Sequence, residues 1–212
     1  MPEPNTISRG LDAATIGRAM AALADRHAAF ASALALHGIP PPRSRPRGPE
    51  ALLRAIVGQQ VSVAAADSIW RRLMLVIDPA EPRTILAADP ADLRAAGLSR
   101  QKIDYATSLA AHLADGRLRL DDLPADDEEA IAMLTAVRGL GRWTAEIYLL
   151  FAEGRHDVFP AGDLAVRIHA GRLFADGARP TEKALRSMAE PWRPHRGTAA
   201  LFLWHCYNGQ PF

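Results

Sequence analysis

Along most of the chain, apolar positions recur at steps of three and four, the spacing that lines one face of an α-helix. In "AMAALADRHAAFASALALHG" (19–38), Met20, Leu23, His27, Phe30 and Leu34 form one stripe, which predicts a single helix ended by Gly38. The following "IPPPRSRPRGPE" is too rich in proline for regular structure. A second helix is expected from about Glu50 to Val57, breaking at Gly58, and a third from an N-cap at Ser62 to about Ile77. Shorter helices are expected at 90–95, at 99–114 with Ser99 as cap, and at 126–137 with Asp126 as cap and acids in the first turn. Helices at 142–153, 164–175, 181–190 and 195–207 complete the pattern. Clear two-residue alternation is confined to "GRLRLD" (116–121), too short to support a sheet, so the expected class is all-α.

Composition agrees with that class. At 212 residues, 49% of them apolar and 6% aromatic, the chain can bury a full core as one domain or as two small lobes, and a helical globule is favoured over a β-sandwich. The formal net charge is +1, but its distribution is uneven. "DDLPADDEE" (121–129) holds six acids and no base, residues 164–212 hold seven bases against three acids, and "RSRPRG" (43–48) adds three arginines. Such a near-neutral total suits either a protein that lays one face on a polyanion or an unevenly charged solvated surface. The single cysteine, Cys206, excludes an internal disulfide, a four-thiolate zinc site and an iron–sulfur cluster. No His-Glu-x-x-His or paired histidine spacing is present, so no metal site built by the protein and no cofactor are expected. The first residues carry no apolar signal region, and the apolar stretch 130–137, broken by Thr135, is far short of a membrane span. A soluble, cytoplasmic protein is the expectation.

Chemistry concentrates in one region. "LTAVRGLGRWTAE" (134–146) reads as helix, tight turn, helix, with Val137 and Leu140 as apolar staples and Gly139 and Gly141 flanking the turn. Two glycines there allow positive φ and close packing. They also leave amides at the start of the next helix facing outward, and with the helix dipole these form a phosphate seat that reads no base sequence. Arg142 and Thr144 stand where they can supplement it. Gly-x-Gly alone is weak; the full apolar and glycine spacing is specific. About twenty residues on, Asp163 follows Pro-Ala-Gly and precedes the apolar helix "LAVRIHAGRLF", where an N-cap is the simple reading and a fixed catalytic carboxylate is compatible with it.

The hairpin and the aspartate together resemble the DNA glycosylase superfamily that joins a helix–hairpin–helix to a Gly/Pro-rich loop and a catalytic aspartate. "LLRAIVGQQVSVAAA" (52–66), "GLGRWTAEIYLL" (139–150), "DVFPAGDLAVR" (157–167) and "PWRPHRGTAALFLWH" (191–205) are similar to its 3-methyladenine DNA glycosylase II branch, in the compact form without an N-terminal β domain. The resemblance implies a two-lobed helical fold with a DNA cleft between the lobes, all within residues 1–212. One lobe would hold about 50–150, including the hairpin at 134–146. The other would hold about 1–42 and 151–212. It implies that Asp163 is catalytic and that Trp143 and Trp204 form a base pocket, with Tyr148 a weaker member because the family's pocket tyrosine falls where this chain has Ile147. It implies DNA contacts at Gln60, as a wedge, and its neighbour Gln59, with Gly139, Gly141, Arg142 and Thr144 on the backbone. A structural monovalent cation on the hairpin carbonyls is left open.

The implied activity is monofunctional release of alkylated bases, 3-methyladenine foremost, from double-stranded DNA, by a cytoplasmic monomer that would be nucleoid-associated in a bacterium. A lyase needs an amine, and the chain has only Lys102 and Lys183, with Trp143 where lyase relatives carry lysine. An adenine-mismatch enzyme is disfavoured by the missing cluster cysteines. A non-catalytic helix–hairpin–helix module would explain the glycines but not Asp163 or the tryptophans, and a glycosylase for another lesion class stays as an alternative.

Overall fold

The structure is a computed structural model and describes residues 11–208. Among these the chain forms twelve α-helices and two 3₁₀ turns, with no strand beyond one isolated antiparallel bridge between Leu11 and Arg43. The helices are α1 (Ala13–Arg26), α2 (Ala28–His37), α3 (Pro49–Gly58), α4 (Val63–Leu73), α5 (Pro82–Ala87), α6 (Pro90–Ala95), α7 (Arg100–Ala114), α8 (Asp127–Thr135), α9 (Arg142–Phe151), α10 (Leu164–Phe174), α11 (Glu182–Ala189) and α12 (Arg196–Asn208). The all-α expectation holds. The expected caps form as drawn: Ser62 accepts from Ala65 N, Ser99 from Lys102 N, and Asp126 from both Glu128 N and Glu129 N.

Two expectations need correction. The single early helix is two, because His27 takes an extended conformation (φ −138°, ψ 107°) between α1 and α2. That one residue shifts the phase of the apolar stripe. Met20, Leu23, Phe30 and Ala33 are buried, whereas Leu34 is only half-buried. The short α5 has no counterpart in the periodicity, since Ile85 is its one buried residue. A proline at its first turn and Glu81 as cap are what start it.

The chain divides into two compact units, one formed by the chain up to Ser44 together with the chain from Leu149 onward, the other by Arg45–Tyr148. In the first, α2, α10 and α12 pack around an aromatic cluster. Phe30 lies 4.9 Å from Phe174, 5.2 Å from Trp192 and 6.0 Å from Phe202 between ring centroids, and Trp192 meets Phe159 edge-on at 5.6 Å. Truncating such a ring to alanine costs about 3–5 kcal/mol. Cys206 is buried in α12, and burial pushes its thiol up to about 11. In the second unit, α7 is the common support, packing against α3, α5 and α6. Among the described residues no helix is long and apolar enough to cross a membrane.

His169 on α10 is 3% exposed, and Arg172 donates to its Nε2 at 3.3 Å, which puts the ring's own proton on Nδ1. Burial first, then Arg172 and His37, lower its pKa from 6.5 to about 4. The unfolded chain therefore binds more protons between these values. The stability from the neutral ring is complete above about pH 6.5 and drains away as pH falls toward 4. Urea unfolding should show a midpoint that drops across that window, and His169→Asn should flatten the drop.

Candidate functional site

The segment before α10 is a built turn. Ala161 N donates to Phe159 O at 2.8 Å and Asp163 N to Pro160 O at 3.0 Å, so the chain doubles back just before the helix. Asp163 caps α10 as its sequence position suggests, with Oδ1 accepting from Val166 N at 3.0 Å. A second donor reaches the same oxygen. The indole N–H of Trp204, on α12, lies 2.9 Å from Asp163 Oδ1. Two donors on one oxygen, one of them a side chain 41 residues away, hold the carboxylate in a single rotamer. From the other side α11 braces the turn. Arg186 pairs with Glu182 at 2.8 Å and donates to Phe159 O at 3.4 Å. The Glu182 carboxylate lies 3.2 Å from the place a Cβ on Gly162 would take.

The hairpin belongs to the Arg45–Tyr148 unit. Val137 and Leu140 are buried as its staples. Only one of its glycines is required by the protein's own conformation. Gly139 has φ +94°, and a Cβ there would run into the ring of Tyr105. Gly141 has neither a positive φ nor any atom near its missing Cβ, so the expectation that both glycines serve the turn is corrected. Gly141 O accepts the first bond of α9, from Ala145 N at 3.1 Å, and as a glycine it brings no side chain to the leading amides of that helix.

Arg142 is not extended toward solvent. Its guanidinium bonds Glu128 and, through Nε at 2.9 Å, Glu146, whose side chain is almost wholly buried. The bond to Glu128 first, helped by the charge of Glu146, raises its pKa against the lowering effect of burial. The side chain thus has a local role in tying α8 to α9. Thr144 is half-buried on the same turn, and Trp143 keeps 48% of its surface exposed. Tyr148, the weaker pocket candidate, is 4% exposed, and its hydroxyl accepts the N–H of Gly48, which anchors the start of α3.

The two glutamines expected at the wedge differ in placement. Gln59 turns inward, its Nε2 donating to Gly139 O at 2.9 Å, so it ties the end of α3 to the hairpin. Gln60 is exposed in a left-handed conformation, φ +55°. Beneath both, α7 presents a row that sequence reading missed. Lys102, 8% exposed, donates from Nζ to Val57 O at 2.6 Å, Tyr105 backs Gly139, and Ser108 Oγ accepts from Arg138 N at 3.2 Å. Burial lowers the Lys102 pKa. The ammonium meets the carbonyl end of α3, where a positive charge complements the helix dipole. Three polar side chains at steps of three were the available signal, but on a helix they read as a solvent face.

The basic excess of residues 164–212 is largely engaged at home. Arg193 and Arg196 both pair with Asp157 and Glu190, Arg186 pairs with Glu182, and Arg167 donates to Pro180 O. Two hairpin carbonyls, those of Val137 and Gly139, already accept from Leu140 N and Gln59 Nε2, so a hairpin cation would have to share them.

The two glycines should separate in a stability measurement. Gly139→Ala is expected to lower the unfolding free energy by at least about 1–2 kcal/mol from backbone strain alone, with the Tyr105 clash added. Gly141→Ala should leave thermal unfolding unchanged or slightly improved.

Comparisons with known proteins agree with this geometry. A family model described as "HhH-GPD superfamily base excision DNA repair protein" matches residues 53–194. The DNA-3-methyladenine glycosylase 1 of Schizosaccharomyces pombe is 34% identical over 160 residues, covering 73% of this chain and 70% of that protein. The crystal structure of a DNA-3-methyladenine glycosidase from Bacillus halodurans superposes with a TM-score of 0.83 at 29% identity, covering 94% of this chain and 92% of that one. The S. pombe 3-methyladenine DNA glycosylase in complex with abasic DNA gives a TM-score of 0.76 at 31% identity, covering 88% of this chain and 95% of that one. The matches span 55% to 76% of the length of the curated B. subtilis and S. pombe relatives. The family model covers well over half of the chain, and the chain belongs to the HhH-GPD superfamily of base excision DNA repair proteins.

Proposed function

We propose that this chain is a monofunctional DNA glycosylase that hydrolyses the N-glycosidic bond of alkylated bases, 3-methyladenine foremost, in double-stranded DNA and leaves an abasic site. The observation that carries the reading is the Asp163 carboxylate, fixed by the Val166 amide and the Trp204 indole at the head of α10. Relatives named as 3-methyladenine glycosylases support the substrate class.

Breaking this bond builds positive charge on the sugar, as in the oxocarbenium state of glycoside hydrolysis. A carboxylate held in place stabilises that charge and can orient or deprotonate the incoming water. An alkylated cationic base is already a good leaving group, so no strong acid is required. Trp143, with half its surface exposed, offers an aromatic face to an electron-poor ring that has been flipped from the duplex. The amides after Gly141 suit a phosphate, and the open space over that glycine lets a DNA backbone approach. Gln60, exposed in its left-handed turn, takes the wedge position.

No lysine amine stands where lyase chemistry needs one. Lys102 is buried against Val57 O, Lys183 stands on α11, and position 143 is tryptophan. The chain acts as a monomer in the cytoplasm, on DNA.

Methylated duplex DNA provides the test. Wild type is expected to release free 3-methyladenine and to leave strands that break only after alkali. Asp163→Asn should slow release by at least about a hundredfold while still binding DNA. Gly141→Ala should weaken DNA binding without altering thermal stability, and affinity should fall with salt at about 0.9 log units per neutralised phosphate. Strand breaks without alkali would point to a lyase. DNA binding with no base release by either protein would favour a non-catalytic module or another lesion.

A further inference from the structure

The first unit carries a chain of contacts that reaches Asp163 from the proline- and arginine-rich segment at 39–49. Arg43 is exposed, and its main chain is held by the bridge to Leu11, which is buried. Its guanidinium carbon sits 5.0 Å from the centroid of the Phe151 ring. Phe151, 2% exposed, meets Trp204 with ring centroids 5.6 Å apart and planes tilted by 39°. The Trp204 indole N–H then donates to Asp163 Oδ1 at 2.9 Å. A guanidinium in this geometry is attracted by the ring's negative face. Phe151 in turn packs against the indole whose N–H reaches the carboxylate.

We propose that Arg43, Phe151 and Trp204 form a relay of ring contacts that orients the Asp163 carboxylate, which makes Arg43 and Trp204 positioning residues for base release. The proposal rests on the reading of Asp163 as the carboxylate that faces the sugar. It gives Trp204 a polar task through its N–H, beyond stacking on a base. It also takes Arg43 out of the set of arginines available to grip phosphate.

Two measurements test it, and one of them does not depend on activity. In nitrogen-15-labelled protein the Trp204 indole N–H resonance is assigned by its loss in Trp204→Phe. It should move in Asp163→Asn and, by less, in Arg43→Ala, while the resonances of Trp70 and Trp192 stay in place. In single-turnover base release at saturating DNA, Arg43→Ala should slow the step about two- to fivefold, the rate equivalent of an exposed cation–π contact. Trp204→Phe should slow it about ten- to a hundredfold, as expected for a lost hydrogen bond to a charged group. Arg43→Lys should keep most of the wild-type rate, and the Arg43→Ala factor should vanish in the Trp204→Phe background.

The relay is overturned if the Trp204 resonance ignores Arg43→Ala, or if the two rate factors multiply. It is equally overturned if Arg43→Ala lowers DNA affinity and the salt slope but leaves the saturating rate alone, which would make Arg43 a phosphate contact. Intact resonance shifts with no base release by wild type would uphold the relay and count against the glycosylase reading.

Discussion

The functional reading turns on one oxygen atom. Asp163 Oδ1 takes two N–H donors, the Val166 amide at the start of α10 and the Trp204 indole, at 3.0 and 2.9 Å. The first is the ordinary reward of an N-cap and would stabilise the helix in any protein. The second is not local and makes α12 a partner of the turn at 159–163. Around this oxygen the first unit is arranged in layers: α11 braces the turn through Glu182 and Arg186, Phe151 supports the indole, and the aromatic cluster on Phe30 holds α2, α10 and α12 together. A carboxylate that is to stabilise developing positive charge must not move when that charge appears, and this packing meets that condition.

The second unit solves a related problem with different means. In the proposed reading its hairpin presents backbone to DNA, and backbone cannot be aimed by rotamers. It is aimed by what lies behind it. Tyr105 fills the space where Gly139 lacks a side chain, Ser108 takes the Arg138 amide, and Gln59 takes the Gly139 carbonyl, while Lys102 secures the end of α3. One face of α7 thereby sets both the hairpin and the turn at Gln60 in a common register. Arg142, bonded to Glu128 and Glu146, adds a lateral tie.

Much of this was legible in the sequence, and the division is physical. Helices with a strong stripe and a Ser or Asp cap were read to within a few residues, because period and cap are local. Asp163 was readable because a Pro-Ala-Gly-Asp turn before an apolar helix is itself a local pattern. The break at His27 was not, since an extended residue inside a continuous stripe changes phase without changing composition. The bond from Trp204 to Asp163 and the fit of Tyr105 to Gly139 join residues far apart in the chain, and no spacing announces them. Arg142 with Glu146 is the instructive miss, because the pair stands at i, i+4 on one helix and could have been read as an ion pair before a phosphate contact.

The lone thiol has a consequence of its own. Cysteine thiolate is the most reactive soft nucleophile a protein offers, and alkylating agents consume it readily. Cys206 is 1% exposed, and burial raises its pKa, so the thiol rather than the thiolate is the form present at neutral pH. A member of a base excision repair family thus keeps the side chain that alkylating reagents attack most easily out of solvent.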